Sequence, residues 1–195
     1  MKTRSHEREG PDRVDAAFAA VPRAGFLPAA QRRHAGADHP LPIGHGQTSS
    51  QPSTVARMLR LLDVPVGARV LDVGSGSGWT TALLAYLTGP TGSVLGVELE
   101  PDLAAWGARN VAATGQPWAR VVPARPDVLG VPEQGPYDRV LVSAEARELP
   151  RALVDQVAAL GIMVAPVAGG LEVVRRTPEG DTVTRYDGYR FVPLR

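Results

Sequence analysis

Cysteine is absent from the 195 residues, and lysine occurs only once, at Lys2. The first absence excludes a disulfide framework, a thiolate nucleophile and a sulfur-ligated zinc. The second gives the basic side chains an arginine bias, which reads as the codon preference of a GC-rich genome. With 21 Lys and Arg against 20 Asp and Glu, the formal charge of +1 lacks the basic excess that tracks nucleic acid. A small-molecule or peptide partner is expected instead. Long apolar runs are also missing, since the strongest, Ala82 to Leu87, falls far short of the ~20 residues of a membrane span. The opening MKTRSHEREGPDR is charged and has no signal-peptide core. No membrane partner is expected, and a cytoplasmic location is.

What is present is globular: 44% hydrophobic and 21% charged residues, at a length that suits one domain over residues 1–195. Residues 1–10 read as a frayed lead-in. Val14, Phe18 and Val21 suggest a short helix, followed by an irregular stretch through Ser50, too long for a plain connection in a compact domain. Ser50 is then a candidate N-cap and Pro52 suits a first turn. Val55, Met58, Leu59 and Leu62 fall on one helical face.

From Arg69 onward, short apolar runs alternate with helical patterns, the mark of a parallel sheet covered on both faces. RVLDVG, SVLGVE, ARVVPA, YDRVLVSA and IMVAPVA read as five strands. Helices are expected over Trp79–Leu87, Asp102–Ala113 and Leu149–Leu160. LEVVRRT and TVTRYDGYRFV, joined by PEGD, read as an antiparallel pair that finishes a seven-stranded, mostly parallel sheet.

The chemistry concentrates in VLDVGSGSGWT, where Gly74, Gly76 and Gly78 follow a strand and open a helix. Glycines let backbone approach a ligand, and a helix start offers unpaired N–H groups. Glu98 ends the next strand, about 20 residues on, where a carboxylate can accept both hydroxyls of a ribose. GxxxxGK[ST] is absent, and the loop is GSGSG rather than GxGxxG. Asp72, just before it, would repel a pyrophosphate but can hold a cationic amino group. S-adenosyl-L-methionine meets these demands, having an adenosine, a cationic methionyl end and no phosphate.

Beside that loop stand PLPIGHGQTSSQP at 40–52, PYDRVLVSA followed by ELPRALVDQ, and the final RFVPLR. With these the chain resembles the protein-L-isoaspartate (D-aspartate) O-methyltransferase family from about Val21 to Arg195. The resemblance implies a Rossmann-like class I S-adenosylmethionine-dependent methyltransferase. In such a protein 11–66 would carry the N-terminal helices and a loop covering the site, 67–168 the cofactor-binding core and 169–195 the last strands. It implies methyl transfer to the free carboxylate of L-isoaspartyl or D-aspartyl residues in proteins or peptides, followed by succinimide formation and repair. A monomer is expected.

By the same resemblance Ser50, the last residue of the family's GQTxS motif, is the catalytic serine, donating a hydrogen bond to the substrate carboxylate. Thr48, Asp72, Gly74, Ser75, Gly76, Gly78, Glu98 and Asp127 are the expected cofactor-binding residues. Asp38, Ile43 and His45 join Ser50 as expected substrate-binding residues, Asp38 being equally readable as structural. His39 and His45 lack a third ligand at usable spacing, so no metal is expected.

Two departures stand out. Where the family has Gly-Asp-Gly after strand three, with an aspartate for the adenine amino group, this chain has Ala124, Arg125, Pro126 and Asp127. Either Asp127 serves after a one-residue shift or the contact is absent. After strand four, Glu145 and Arg147 replace small apolar residues and suggest a charge pair at the rim. These motivate a rival reading, a carboxyl methyltransferase dedicated to another peptide acceptor such as a modified ribosomal peptide. A non-catalytic cofactor-binding module and a dinucleotide oxidoreductase rank lower.

Overall fold

The computed structural model describes residues 12–195, so the reading of 1–10 as frayed lies outside them. Helix α1 (Arg13–Ala20) is capped by the Asp12 carboxylate, which accepts from Val14 N at 3.1 Å. A hairpin follows, β1 (Leu41–Gly44) and β2 (Gln47–Ser49), and then α2 (Pro52–Leu62), which buries Val55, Met58, Leu59 and Leu62 as its periodicity requires. The alternating core runs β3 (Arg69–Val73), α3 (Trp79–Thr88), β4 (Ser93–Glu98), α4 (Pro101–Ala112), β5 (Ala119–Pro123) and β6 (Tyr137–Val142). It ends with α5 (Arg151–Val154), β7 (Val157–Val167), β8 (Gly170–Thr177) and β9 (Gly180–Asp187).

Seven strands form one sheet in the order β5-β4-β3-β6-β7-β8-β9, parallel from β5 to β7 and antiparallel for β8 and β9. Side chains alternate between its faces: Val70 packs under α1 to α4, while Leu71 joins the cluster that α5 and the segment before β6 cover. The chain leaves β3 toward β4 on one side and later returns to β6 on the other. A crevice therefore opens at the carboxyl ends of β3 and β6, the usual ligand position in such sheets. No helix among the described residues is long and apolar enough to cross a membrane.

Four sequence expectations change. The stretch through Ser50 is not wholly irregular, because Pro42 pairs with Thr48 and Leu41 with Ser49 in the β1–β2 hairpin. The α2 cap position is Gln51 rather than Ser50, and the first-turn donor Ser53 N is satisfied at 2.9 Å by Asp38 Oδ1 from outside the helix. The helix expected over Leu149–Leu160 shrinks to the single turn of α5, since Val157 pairs with Tyr137 and the strand starts there. Gln156 fixes that switch by bonding Val131 N, Leu129 O and Ala152 O, so pairing with β6 overrides the helical preference of an Ala-Ala-Leu run. Finally, β9 stops at Asp187, because Gly188 N and Tyr189 N both turn back to Gly169 O.

Candidate active site

Gly74 (φ 77°) and Gly76 (φ 54°) take the left-handed backbone that glycine tolerates, and the turn folds back so that Gly74 N and Ser75 N both donate to Val97 O. Gly78 serves a different end. A Cβ there would lie 2.9 Å from Gly107 O and 2.8 Å from Val111 Cγ2, so its role is the close approach of α3 to α4, and it borders no cavity around the site.

Asp72 lies fully buried behind this turn. Its Oδ2 accepts from the Thr80 and Thr81 hydroxyls at 2.9 and 2.7 Å, while Oδ1 has no partner. Burial pushes its carboxyl up to about 6; the Thr81 and Thr80 hydrogen bonds, and more weakly the Ser143 hydroxyl, pull it down, and nearby Glu98 adds to the rise. Glu98, also buried, uses Oε2 to accept from Gly76 N at 2.8 Å and Oε1 to accept from Glu100 N at 3.0 Å. It therefore braces the glycine turn while keeping acceptor capacity toward the cavity it lines.

Two cavities meet at this end of the sheet. One, of about 410 Å³, lies between the glycine turn, β4, residues 124–130 and the C-terminal residues 192–195. Its walls include Ile43, Thr48, Gly74, Gly76, Glu98 and Asp127, together with the apolar Val73, Val97, Leu99 and Val128. The other is an open cleft of about 1040 Å³ between the start of α2 and residues 187–192, and it holds Ser50. Thr48, Ser143 and Val192 border both, and a small pocket of about 30 Å³ lined by Ser50, Ser75 and Gly76 shares Thr48 and Ser143 with each.

Of the residues named from sequence, Thr48, Gly74, Gly76, Glu98 and Asp127 come together on the smaller cavity, and Ser75 reaches only the small pocket beside it. Asp72 and Gly78 stand behind the wall. Of the expected substrate residues, Ser50 lies in the cleft but the other three do not. Ile43 borders the smaller cavity. Exposed His45 sits at the hairpin tip (φ 53°), with Nδ1 3.8 Å from Glu100 and Nε2 3.8 Å from Asp102. Asp38 is occupied by Ser53 N and Gln51 Nε2, and those hydrogen bonds hold its carboxyl below the usual range. It caps α2, which also removes one helix-terminal donor that an incoming anion would have used.

Of the side chains that hold the cover, Arg23 was not singled out from sequence, and Glu145 was, in a different role. Buried Arg23 donates to Ala37 O, His39 O, Ser49 O, Ser50 O and Ser49 Oγ, and lies 5.4 Å over the Trp79 ring. Burial lowers its pKa, opposed by Asp38. The Glu145 carboxylate accepts from Gly169 N and Phe191 N, and its backbone pairs with Val192 and Leu194. It thus clamps the C-terminal segment and forms no ion pair with Arg147 among the described residues, so the expected rim pair is corrected. Arg195 in turn bonds Glu100, the carboxylate that His45 approaches from the other side.

The family profile of protein-L-isoaspartate(D-aspartate) O-methyltransferase matches residues 2–195. The chain belongs to that family. It is 44% identical over 187 residues to the protein-L-isoaspartate O-methyltransferase of Aeropyrum pernix, covering 93% of this chain and 72% of that one. Against that of Methanopyrus kandleri the identity is 42% over 188 residues, covering 94% and 83%. Among solved structures, a protein-L-isoaspartate O-methyltransferase superposes with a TM-score of 0.85 at 26% identity, over 94% of this chain and 61% of that one. A second, from Plasmodium falciparum and described as the same enzyme in complex with S-adenosyl-L-homocysteine, gives 0.83 at 27%, over 96% and 92%.

The family's cofactor is S-adenosylmethionine, and the smaller cavity fits it on its own terms. A buried carboxylate oxygen without a donor, Asp72 Oδ1, suits a nearby cation. Apolar walls beside Glu98 suit an adenosine. Both guanidiniums on the wall are already paired, Arg125 with Glu133 and Arg195 with Glu100, which leaves neither uncommitted for a pyrophosphate.

Proposed function

We propose that this protein transfers the methyl group of S-adenosylmethionine to the free carboxylate of L-isoaspartyl or D-aspartyl residues in proteins and peptides. The observation that carries this reading is the meeting of a nucleoside-sized cavity and an open peptide-sized cleft at Thr48, Ser143 and Val192, with Ser50 on the cleft wall and on the small pocket beside both. When bound, the cofactor supplies an electrophilic methyl group on a sulfonium.

The chain's own residues then have limited chemistry to do. A carboxylate is ionised at neutral pH, so its oxygen attacks without a general base. Ser50 Oγ donates a hydrogen bond to that carboxylate and orients it, while Arg23, holding Ser49 O and Ser50 O, keeps this backbone in place. Glu98 receives the ribose hydroxyls and Asp127 borders the adenine end. Asp72 offsets the positive charge from behind the glycine turn. Catalysis rests on alignment and on excluding water, which the covering hairpin and C-terminal segment provide. The ester product then closes to a succinimide by attack of the neighbouring peptide nitrogen on the ester carbonyl, the amide proton and methoxide leaving as methanol, and hydrolysis of the imide returns part of it as normal aspartate.

A dedicated peptide acceptor loses its motive here, because Arg125 pairs with Glu133 and Glu145 bonds backbone. We place the activity in the cytoplasm, in a monomer without nucleic-acid partners. The test is transfer of labelled methyl to a short isoaspartyl peptide beside its normal aspartyl twin. Base-labile label is expected on the isoaspartyl peptide alone, with Ser50→Ala lowering turnover and Glu98→Ala weakening cofactor binding. Absence of label on either peptide, with cofactor bound, would sink the reading.

A further inference from the structure

The open cleft has a charge pattern that the transfer reaction itself does not use. Three charged side chains line it: Arg57, Asp187 and Arg190. Asp187 is committed, its Oδ1 accepting from Arg185 Nε at 2.7 Å. Neither Arg57 nor Arg190 has a carboxylate within 4.0 Å among the described residues. The Arg57 guanidinium is held 4.9 Å over the Tyr186 ring, an arrangement that steadies the group while leaving its in-plane N–H donors for an anion. Arg190 precedes Phe191, which Glu145 clamps, and stands two residues from Val192 at the junction of the cavities.

We propose that Arg57 and Arg190 make this cleft selective for isoaspartyl sites flanked by acidic residues. The inference deepens the proposed function and rests on it. Arg57 lies five residues into α2 from Pro52, about 7.5 Å of helical rise at 1.5 Å per residue, and Ser50 stands two non-helical residues before that start, so the two positions on the cleft wall are roughly 10 Å apart. An extended peptide advances about 3.3 Å per residue, so the matching acidic side chain is about three positions from the reacting residue. A carboxylate there meets a planar, steadied donor, and one nearer meets Arg190. A lysine at either place meets uncompensated positive charge.

The experiment compares initial rates on isoaspartyl nonapeptides that carry Glu, Gln or Lys at each of the three positions on either side of the isoaspartate. On one side, Glu is expected to lower KM about two- to fivefold relative to Gln, with Lys raising it and kcat little changed. High salt should shrink the differences. Arg57→Gln and Arg190→Gln should each reduce the Glu preference, and the double variant should abolish it. Arg151→Gln, which removes an exposed charge outside the cleft, should keep it. Equal KM for Glu and Gln at every position, a preference for Lys, or a Glu preference that survives in the double variant would overturn the proposal. Failure to methylate any peptide in the set would instead overturn the functional reading beneath it.

Discussion

The parallel core and the segments that cover it are held by different forces. Between β3 and β6, register comes from continuous backbone ladders and from side chains such as Leu71, Val140 and Leu141 that are fully buried. The covering hairpin adds only a small apolar cluster, Leu41 and Ile43 with Leu27 and Leu103, and the C-terminal segment 187–195 has no fully buried residue. They rest on a few polar side chains that saturate backbone groups: Arg23 under the hairpin, Asp38 at α2, Glu145 at the C-terminal segment, and Glu100 joining Arg195. A core built this way resists loss of any one hydrogen bond. A cover built this way can be released by one substitution, and the site it closes is where release would be felt.

That contrast is sharpest in a pair of variants. Leu141→Ala should cost about 2–5 kcal/mol through lost burial and a residual cavity, seen as a fall in thermal midpoint while the folded fraction stays active. Arg23→Ala should do the reverse, lowering kcat/KM by about a hundredfold through misplacement of Ser50, with a smaller fall in midpoint. If Arg23→Ala destabilises more than Leu141→Ala and keeps its activity, the division of labour is wrong.

Asp72 is the point where the core itself buries a carboxyl group. Folding raises its pKa from 3.8 to about 6, so between those values the folded chain binds more protons than the unfolded one. Stability from this group is therefore fully present below about pH 4, falls as pH rises, and is lost above about pH 6. The difference corresponds to about 3 kcal/mol. Without cofactor, Asp72→Asn should gain several degrees in midpoint over the parent at pH 8 and little at pH 4, while binding S-adenosylmethionine more weakly. A pH-independent difference would contradict the desolvation account. The smallest effect is expected of Glu145→Gln, whose single carbonyl oxygen replaces two charged acceptors. Cofactor affinity by titration should drop about three- to tenfold with the midpoint nearly unchanged.

Much of this was legible in the chain. Alternating apolar runs between glycine and proline punctuation located β3 to β6 and the helices between them, and the spacing from Gly76 to Glu98 picked out two residues that line one cavity. Those signals are local and periodic. Leu149–Leu160 misled because an Ala-Ala-Leu run favours a helix until β6 offers Tyr137 as a partner and Gln156 locks the switch. The 3-residue strand β2 was too short to carry a pattern, and Arg23 carried no local signal, since its partners are up to 27 residues away.

Sequence alone determined the parallel core, the glycine turn and the acidic residues around it, because each follows from periodicity, backbone permissiveness or charge at short range. Only tertiary structure decided which of them face a ligand. It moved Asp72 and Gly78 behind the wall, turned Asp38 into a helix cap and carried Ile43 and His45 away from the cleft. It also brought Ser143 and Val192 to the junction of the cavities. The reason is physical: facing is set by which distant backbone groups need a partner, and that need exists only once the chain has folded.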